Sequence, residues 1–250
     1  MNDESMFLLV DNSNTRTKFM LSRDGVSGEM RVLPTADISV ASVQEILRGW
    51  VFSKVVLSSV VPAAAELIKV ALSEYALQQL SAENIGSVDF SDYAGIATLG
   101  ADRVANVLAA VQCVDLPLVA VDAGTATTFD VVVQGASRPR FAGGLIAPGF
   151  SSVASCLHEK TAQLPPVDVL QSGPVIGQNT QEAMAAALRI GYPGMVESIL
   201  NAIEEELGEP VNVVLTGGDA EMLAASMQKV CMVVPTLTMQ GIALGADACA

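Results

Sequence analysis

Two segments of the sequence, roughly half a chain apart, share a pattern suited to holding a phosphate and its counter-cation. Residues 8–17 are LLVDNSNTRT and residues 119–128 are VAVDAGTATT. In each, an apolar run predicts a strand, and the small, hydroxylated residues after it predict a tight turn whose backbone N–H groups can approach an anion. The aspartate that ends each strand, Asp11 or Asp122, can bind the cation that accompanies a phosphate. One copy alone would indicate only an Asx turn, but two copies indicate a duplicated fold whose halves close on a nucleoside triphosphate.

The two loops differ in their side chains. The second loop is the more regular one, and its hydroxyls exceed what an ordinary hairpin turn needs, so we predict that Thr125 contacts a nucleotide directly. In the first loop, Lys18 lies beyond the turn, where it can either reach back to a terminal phosphate or extend into solvent. The residue types alone do not choose between these two positions. The first loop also contains Asn12, Ser13, Asn14, Thr15, Arg16 and Thr17.

A third candidate is the segment LGADR at residues 99–103, which opens an apolar helix. Asp102 can accept a proton from a substrate hydroxyl, and the Arg103 guanidinium can hold a substrate carboxylate through two hydrogen bonds. The preceding glycine would leave room for a ligand. A purely structural interpretation is also open, because an acidic residue in the first turn of a helix complements the helix dipole.

Glycines follow two further apolar segments. TGG at residues 216–218 comes after VNVVL, and GGLIAPG spans residues 143–149. Such glycines often only make turns. A glycine pair at the carboxyl end of a strand is also a place where an adenosine can lie flat against the backbone.

Composition excludes several classes of protein. The net charge of −14 and the pI of about 4.3 argue against nucleic acid as a partner. No apolar run approaches the roughly 18 residues of a membrane span, and the acidic start MNDES does not resemble a signal peptide. The four cysteines are scattered, which indicates reduced thiols and a cytoplasmic protein. His158 has no potential ligand at metal-binding spacing, so we expect a surface residue.

The alternation of predicted strands and helices indicates an α/β protein. Strands are expected at 6–11, 17–22, 54–62 and near SVDF (87–90), with a polar connection after the second strand and helices at 40–50, 62–80 and 101–113. The pattern restarts at residue 118 with two strands, followed by helices at 149–158 and 180–206, strand VNVVL and a last helix near Leu237. We therefore predict two domains, 1–115 and 116–250. GYPG at 191–194 lies inside the longest helix and is expected to kink it or to allow a close helix approach.

Taken together, these motifs resemble the type III pantothenate kinases, which belong to the acetate and sugar kinase, Hsp70 and actin superfamily. DAGTATTFD is similar to the second phosphate motif of that family, and GADR is similar to its signature. SSVVP (58–62), GGLIAPG, TAQLP (161–165), IGQNT (176–180) and TGG follow in the order that the family has. The resemblance extends over essentially the whole chain. It implies an α/β, duplicated actin-like (ribonuclease H-like) two-domain fold with a nucleotide cleft between the halves.

The resemblance also implies an activity, the ATP-dependent phosphorylation of pantothenate that begins coenzyme A biosynthesis. Asp102 would be the general base, and Arg103 would hold the pantothenate carboxylate. Asp122 would coordinate a monovalent cation, K⁺ or NH₄⁺, while Mg²⁺ would accompany ATP. The remaining substrate pocket would comprise Tyr93, Gly100, Ala101 and Thr180. The ATP site would comprise Asp11, Asn12, Ser13, Asn14, Thr15, Arg16, Thr17, Lys18, Thr125, Gly217 and Gly218. Family members work as homodimers.

The chain departs from the family pattern at two positions. Ser13 stands where the first phosphate loop normally has glycine, and serine would cost about 1 kcal/mol or more if that position requires a positive φ. Ile96 stands where a proline normally follows the substrate tyrosine, which predicts a more mobile Tyr93 loop. Two alternatives therefore stay open: a non-catalytic regulatory relative of the family, and a kinase of the same superfamily that acts on another small hydroxy acid.

Overall fold

The computed structural model describes residues 6–23, 26–161, 163–166 and 173–247. The chain divides into two compact units. The first unit comprises Met1–Leu116, Val132–Gly143 and Thr236–Ala250, and the second comprises Pro117–Val131 and Gly144–Pro235. The first unit therefore includes two segments from the later part of the sequence. The predicted domain boundary between residues 115 and 116 stays a prediction.

The first unit is built on a five-stranded sheet in the order β3-β2-β1-β4-β5. The strands β1 and β2 pair antiparallel, as do β2 and β3, whereas β1 with β4 and β4 with β5 are parallel. These strands are β1 (Phe7–Asn12), β2 (Arg16–Arg23), β3 (Val26–Pro34), β4 (Lys54–Ser59) and β5 (Ala76–Gln79). Its helices include α1 (Val40–Ile46), α2 (Pro62–Ala71) and α3 (Ala101–Ala110).

The second sheet repeats the topology of the first. Its order is β10-β9-β6-β7-β8. Taken from the β8 edge, β8-β7-β6-β9-β10, this is the order of the first sheet with five added to each strand number. The strands are β6 (Leu118–Ala123), β7 (Ala126–Val133), β8 (Arg140–Pro148), β9 (Asn212–Thr216) and β10 (Met232–Val233), and the helices are α4 (Phe150–Lys160), α5 (Thr180–Leu207) and α6 (Ala220–Ser226). Asp11 pairs with Ser58 on β4, and Asp122 pairs with Thr216 on β9. The predicted duplication is confirmed down to the register of the two aspartates.

Both central strands are apolar because both of their faces are covered. In β1, Leu8 and Val10 are fully buried, and in β6 Leu118, Val119 and Val121 are too. A strand buried on both faces needs a nearly continuous apolar run rather than an alternating one. This requirement explains the sequences LLV and LVAV that precede the two aspartates.

The last helix, α7 (Leu237–Asp247), completes the first unit by packing against α3. Thr238 donates a buried hydrogen bond of 2.8 Å to the side-chain oxygen of Asn106. The two helices approach so closely at Gly241 that a Cβ there would lie 1.8 Å from the carbonyl oxygen of Ala105. Glycine is therefore required at this crossing.

Several predicted elements differ from the structure at the sheet edges. The predicted helix 62–80 ends at Ala71 and is followed by β5, and the predicted polar connection after β2 contains the edge strand β3. The predicted strand near SVDF contributes only an isolated bridge between Asp89 and Arg140. Edge strands bury little and carry polar residues, so their sequences lack the apolar signal that identified the central strands.

The longest predicted helix is confirmed. The helix α5 continues through Pro193 to Leu207, and its C-cap residue Gly208 has a φ of +75°. No helix within the described residues is both long enough and apolar enough to cross a membrane. Cys113, Cys156 and Cys231 are free thiols, and Cys249 lies outside the described residues, as do the first five residues.

Candidate active site

The first loop, Asp11–Lys18, connects β1 to β2 and surrounds a buried carboxylate. Asp11 is 2% exposed. Its Oδ1 accepts a hydrogen bond of 2.8 Å from the Ser13 hydroxyl, and its Oδ2 lies 3.0 Å from the Lys18 ammonium. Lys18 therefore forms an ion pair within the loop while its side chain is 36% exposed, and its contact with a terminal phosphate stays a prediction.

A relay of hydrogen bonds holds the first loop in place. The Ser59 hydroxyl donates to the Asn12 side-chain oxygen at 2.7 Å, and the Asn12 amide donates to the Thr17 hydroxyl at 2.7 Å. The Thr17 and Thr35 hydroxyls are 3.1 Å apart, and the Thr35 hydroxyl donates to the Ser13 carbonyl at 2.7 Å. Because Thr35 gives its proton to Ser13, Thr17 must be the donor between the two threonines. Sequence reasoning missed Thr35 and Ser59 in this role.

The side chains of the first loop thus divide into two groups. Asn12 and Thr17 are buried in the relay, so they fix the loop and have no surface to offer a ligand. Asn14, Thr15 and Arg16 are exposed at the turn, and Thr15 also accepts a hydrogen bond from the Thr35 N–H through its carbonyl oxygen. The exposed group is the one that can reach a bound anion.

Asp102 is the second residue of α3, two positions after the N-cap residue Gly100. Its Oδ1 accepts a hydrogen bond of 2.8 Å from the Arg103 N–H. Burial raises the pKa of Asp102 above its ordinary value, and the negative charge of Asp11 raises it further. A carboxylate with a raised pKa that still has a helix N-terminus beside it is suited to accept a proton from a hydroxyl.

Gly100 leaves room for the carboxylate of Asp102. A Cβ on Gly100 would lie 2.5 Å from Oδ1 of Asp102. The space that the sequence analysis assigned to a ligand is therefore taken, at least at this atom, by the carboxylate. Ala101, the next predicted pocket residue, is buried in the first turn of α3.

Arg103 and Tyr93 both contact the aromatic ring of Phe141. The guanidinium carbon of Arg103 lies 5.9 Å from the ring centroid of Phe141, and the ring of Tyr93 packs edge-on against the same ring at 5.1 Å. Arg103 is 8% exposed and Phe141 is 1% exposed. The structure thus brings these two predicted substrate residues together. Sequence reasoning missed Phe141, although an aromatic residue just before GGLIAPG was a visible signal.

The second loop, Asp122–Thr128, is held by close backbone approach. The Thr125 carbonyl accepts hydrogen bonds from the Gly149 N–H at 3.1 Å and from the Ser152 hydroxyl at 2.6 Å. A Cβ on Gly149 would lie 1.9 Å from the Gly124 carbonyl oxygen. The end of GGLIAPG therefore fixes the backbone of the second loop, while the Thr125 side chain remains exposed.

The TGG segment packs against the other side of the second loop. Gly217 has a φ of +94°, and a Cβ there would lie 2.4 Å from the Ala123 carbonyl oxygen and 2.6 Å from Oδ1 of Asp122. The Asp219 N–H donates to the same Ala123 carbonyl at 3.0 Å. Gly218, in contrast, has nothing within 4 Å of its Cβ position. Gly217 is required by geometry, whereas Gly218 leaves open space that an adenosine could use.

Tyr192 is a further residue that sequence reasoning missed. Its hydroxyl lies 2.6 Å from the hydroxyl of Thr127, which is fully buried. The ring of Phe150 packs against Tyr192 at 5.1 Å, and burial raises the pKa of the Tyr192 hydroxyl. Thr127 therefore anchors the second loop to α5. Thr180, the last predicted substrate residue, is exposed at the start of the same helix in the second unit.

Within the described part of the chain, no three acidic, cysteine or histidine side chains form a ready-made metal cage. Asp11 and Asp122 instead offer one carboxylate each, at the ends of equivalent strands. Mg²⁺ is commonly bound by one or two carboxylates together with substrate phosphates and water, so a single carboxylate such as that of Asp11 fits it.

Comparison with known proteins gives a consistent result. Residues 7–202 match the sequence profile of a family described as type III pantothenate kinase. A type III pantothenate kinase from Akkermansia muciniphila is 39% identical over 241 residues, which cover 96% of this chain and 98% of that protein. One from Methylacidiphilum infernorum is 37% identical over 239 residues, which cover 95% of this chain and 86% of that protein.

Solved structures share the fold at lower identity. A putative Baf family transcriptional activator from Campylobacter jejuni superposes with a TM-score of 0.64 at 20% identity, covering 96% of this chain and 97% of that chain. An archaeal actin homologue superposes with a TM-score of 0.53 at 12% identity, covering 97% and 99%. The predicted actin-like fold is confirmed.

Proposed function

The chain belongs to the type III pantothenate kinase family, and we propose that it transfers the terminal phosphate of ATP to the primary hydroxyl of pantothenate, which begins coenzyme A biosynthesis. The observation that carries the proposal is the half-buried Asp102 carboxylate, whose pKa is raised by desolvation. Its neighbour Arg103 and Tyr93 both pack against the ring of Phe141. A non-catalytic regulatory relative would have no need of this arrangement, so that alternative is not favoured.

On the acceptor side, Asp102 orients the pantothenate hydroxyl and takes its proton. Phosphoryl transfer has a loose transition state, so the proton leaves late and the main task of the base is to position the hydroxyl. Burial strengthens the base, because it makes the protonated carboxyl more favourable. Arg103 holds the pantothenate carboxylate, and we assign Tyr93, Gly100, Ala101 and Thr180 to the rest of the pocket.

On the donor side, we assign the ATP contacts to Asn14, Thr15 and Arg16, which are exposed on the first loop, and to Thr125. The Gly218 backbone offers open space for the adenosine. Asp11, Asn12, Ser13, Thr17, Lys18 and Gly217 provide the frame that keeps these contacts in place.

We assign Mg²⁺ to Asp11 and a monovalent cation, K⁺ or NH₄⁺, to Asp122. Bound cations would neutralise the triphosphate in a protein whose net charge is −14. The two oxygens of the Asp11 carboxylate face the Ser13 hydroxyl at 2.8 Å and the Lys18 ammonium at 3.0 Å, so Mg²⁺ would replace one of these partners. Asp122 is held at the carboxyl end of β6 by pairing with β9.

We further propose that the protein is a cytoplasmic homodimer, as the family resemblance implies. Exposed apolar side chains support an additional protein contact, since Val175, Ile176 and Ile190 are 71%, 78% and 51% exposed. Light scattering coupled to size exclusion would test the dimer, with a monomer at micromolar concentration as the contradicting result.

The proposed activity is tested by coupled ATP turnover with pantothenate, with and without K⁺, on the wild type and on Asp102→Asn. We expect K⁺-dependent turnover that falls at least about a hundredfold in Asp102→Asn, because a positioned general base contributes about 10²–10⁴-fold. Asp37→Asn removes an exposed carboxylate on a 3-10 turn and is the matched control. Folded wild type without turnover under any cation would refute the proposal. Turnover with another hydroxy acid but not with pantothenate would show that the protein is a kinase with a different substrate.

The raised pKa of Asp102 should also make the free energy of unfolding depend on pH. Because its pKa is higher in the folded than in the unfolded chain, its stabilising contribution is present below the unfolded value and is lost as pH rises through the folded value. Asp102→Asn should therefore be more stable than the wild type at pH 7.5, and the difference should shrink at pH 4. Urea unfolding at both pH values measures this difference, and an equally large gap at both would contradict a raised pKa.

A further inference from the structure

The segment that carries Tyr93 depends on a distant strand for its position. Residues 86–93 form turns and bends rather than a helix or a full strand. The Asp89 N–H donates to the Pro139 carbonyl at 2.8 Å, and the Phe141 N–H donates back to the Asp89 carbonyl at 2.9 Å. The start of β8 therefore fixes this segment.

Two arginines strengthen the same attachment from the outside. Arg138 donates to the Gly86 carbonyl at 2.6 Å and lies 3.4 Å from the Asp89 carboxylate. Arg140 lies 3.5 Å from the Asp92 carboxylate. Because backbone hydrogen bonds and these ion pairs hold the segment independently, it should stay attached if the side chain of Phe141 is changed.

The ring of Phe141 contacts three functionally different neighbours. Phe90 packs against it at 5.4 Å with an interplanar angle of 40°, and Tyr93 packs edge-on at 5.1 Å with an angle of 75°. The Arg103 guanidinium lies 5.9 Å from its centroid. Phe90 and Phe141 are almost fully buried, whereas Tyr93 is only half-buried. Tyr93 therefore keeps a surface that a ligand can touch.

These contacts suit the orientation of a guanidinium. The electron-rich face of an aromatic ring attracts a cation within about 6 Å of its centroid, and the attraction is stronger where water is excluded. A guanidinium recognises a carboxylate through a planar pair of N–H donors, so its orientation matters as much as its charge. The ring can fix that orientation without competing for the donors that a substrate carboxylate needs.

We propose that Phe141 is a positioning residue, whose ring sets the Arg103 guanidinium and the Tyr93 ring in the arrangement that recognises the carboxylate of the acceptor substrate. This inference rests on the proposed function. It assigns to Phe141 an effect on the binding of one functional group of the substrate, rather than on the chemical step.

The test compares Phe141→Leu with Phe90→Leu, which removes an equally buried ring from the same cluster. For Phe141→Leu we expect a KM for pantothenate raised about tenfold, as the loss of a desolvated cation–π contact predicts, while kcat and the KM for ATP change less than about threefold. Phe90→Leu should leave the KM for pantothenate within about threefold. If Phe141→Leu does not fold, Phe141→Met fills a similar volume without an aromatic face.

A second substrate separates positioning from a general loss of structure. The primary amide of pantothenate lacks the negative charge, so the wild type should bind it more weakly than the acid. Phe141→Leu should reduce that preference for the acid about five- to tenfold, since the variant loses the contact that orients Arg103. An unchanged preference, or an equal KM increase in Phe90→Leu, would overturn the inference while leaving the proposed function intact. A wild type that neither binds nor phosphorylates pantothenate would overturn both.

Discussion

The first loop (Asp11–Lys18) and the second loop (Asp122–Thr128) follow equivalent strands of the two sheets, but they are held by different means. In the first loop, a relay of side-chain hydrogen bonds runs from Ser59 to the Ser13 carbonyl. In the second loop, Gly149 and Gly217 bring neighbouring backbone close to the turn. The duplicated topology therefore preserves the strand and its aspartate, whereas the support around the loop has diverged.

This difference predicts opposite sensitivities to mutation. A loop held by side chains should be weakened when a hydroxyl is removed, and a loop held by glycines should be weakened when a methyl group is added.

Gly217→Ala should have the largest effect, because it forces a side chain at a φ of +94° and places a Cβ 2.4 Å from the Ala123 carbonyl oxygen. We expect a loss of about 3 kcal/mol in the free energy of unfolding, from overpacking and backbone strain together. Gly218→Ala is the matched control, since its Cβ position is open. Urea unfolding of both variants measures the difference. Equal stability would show that the second loop does not depend on close approach.

Thr35→Val should lower the free energy of unfolding by about 2 kcal/mol, because the part-buried Ser13 carbonyl and the buried Thr17 hydroxyl both lose a partner. The KM for ATP should rise as the loop loosens. Thr98→Val removes an exposed hydroxyl bonded to the Gly95 carbonyl and serves as the control. Urea unfolding and ATP titration measure the two effects. A Thr35→Val protein as stable as this control would mean that the relay contributes nothing.

Tyr192→Phe should lower the free energy of unfolding by about 1 kcal/mol, because it removes the hydroxyl that bonds α5 to Thr127 in the second loop. A double-mutant cycle with Thr127→Val should give a coupling of similar size. Tyr75→Phe, at a partly exposed ring, controls for the loss of a phenol. Strictly additive effects of the two substitutions would contradict a direct contact. If Tyr192→Phe lowered the free energy of unfolding more than Thr35→Val does, side chains would hold the second loop as strongly as the first, which would contradict the contrast between the loops.

Ser13→Gly should have the smallest effect and bears on the departure from the family pattern. The Ser13 hydroxyl donates to Asp11, so its removal should free one carboxylate oxygen and lower the KM for Mg·ATP about two- to fivefold, as expected for one hydrogen bond of roughly 0.5–1 kcal/mol. Ser13→Ala separates the hydroxyl from the Cβ and should behave similarly. If only Ser13→Gly stabilises the protein, by about 1 kcal/mol, the serine is strained rather than bonded.

The sequence was sufficient for the central strands and their aspartates. Runs such as LLV before Asp11 and LVAV before Asp122 leave no alternative to buried strands once they occur twice. Edge strands were the opposite case. The apolar spacing of residues 62–80 fits a helix throughout, and only pairing with β4 turns residues 76–79 into β5.

The residues that support the site could not be predicted from the sequence, because their partners lie far away along the chain. Ser59 lies 47 residues from its partner Asn12, and Tyr192 lies 65 residues from Thr127. A single hydroxyl or ring carries no periodic signal, so its partner is known only once the fold brings the two together. Phe141 did carry a signal, its position just before GGLIAPG, but its contacts with Tyr93 and Arg103 could not be predicted because both lie far from it in the sequence.

The position of α7 has a consequence for how the chain is made. This helix supplies the face against which α3 packs, through the Thr238–Asn106 hydrogen bond and the crossing at Gly241. Domains usually fold as they leave the ribosome, the N-terminal one first. Here the first unit contains both β1 and the segment from Thr236 onward, so it cannot be completed until α7 has been synthesised.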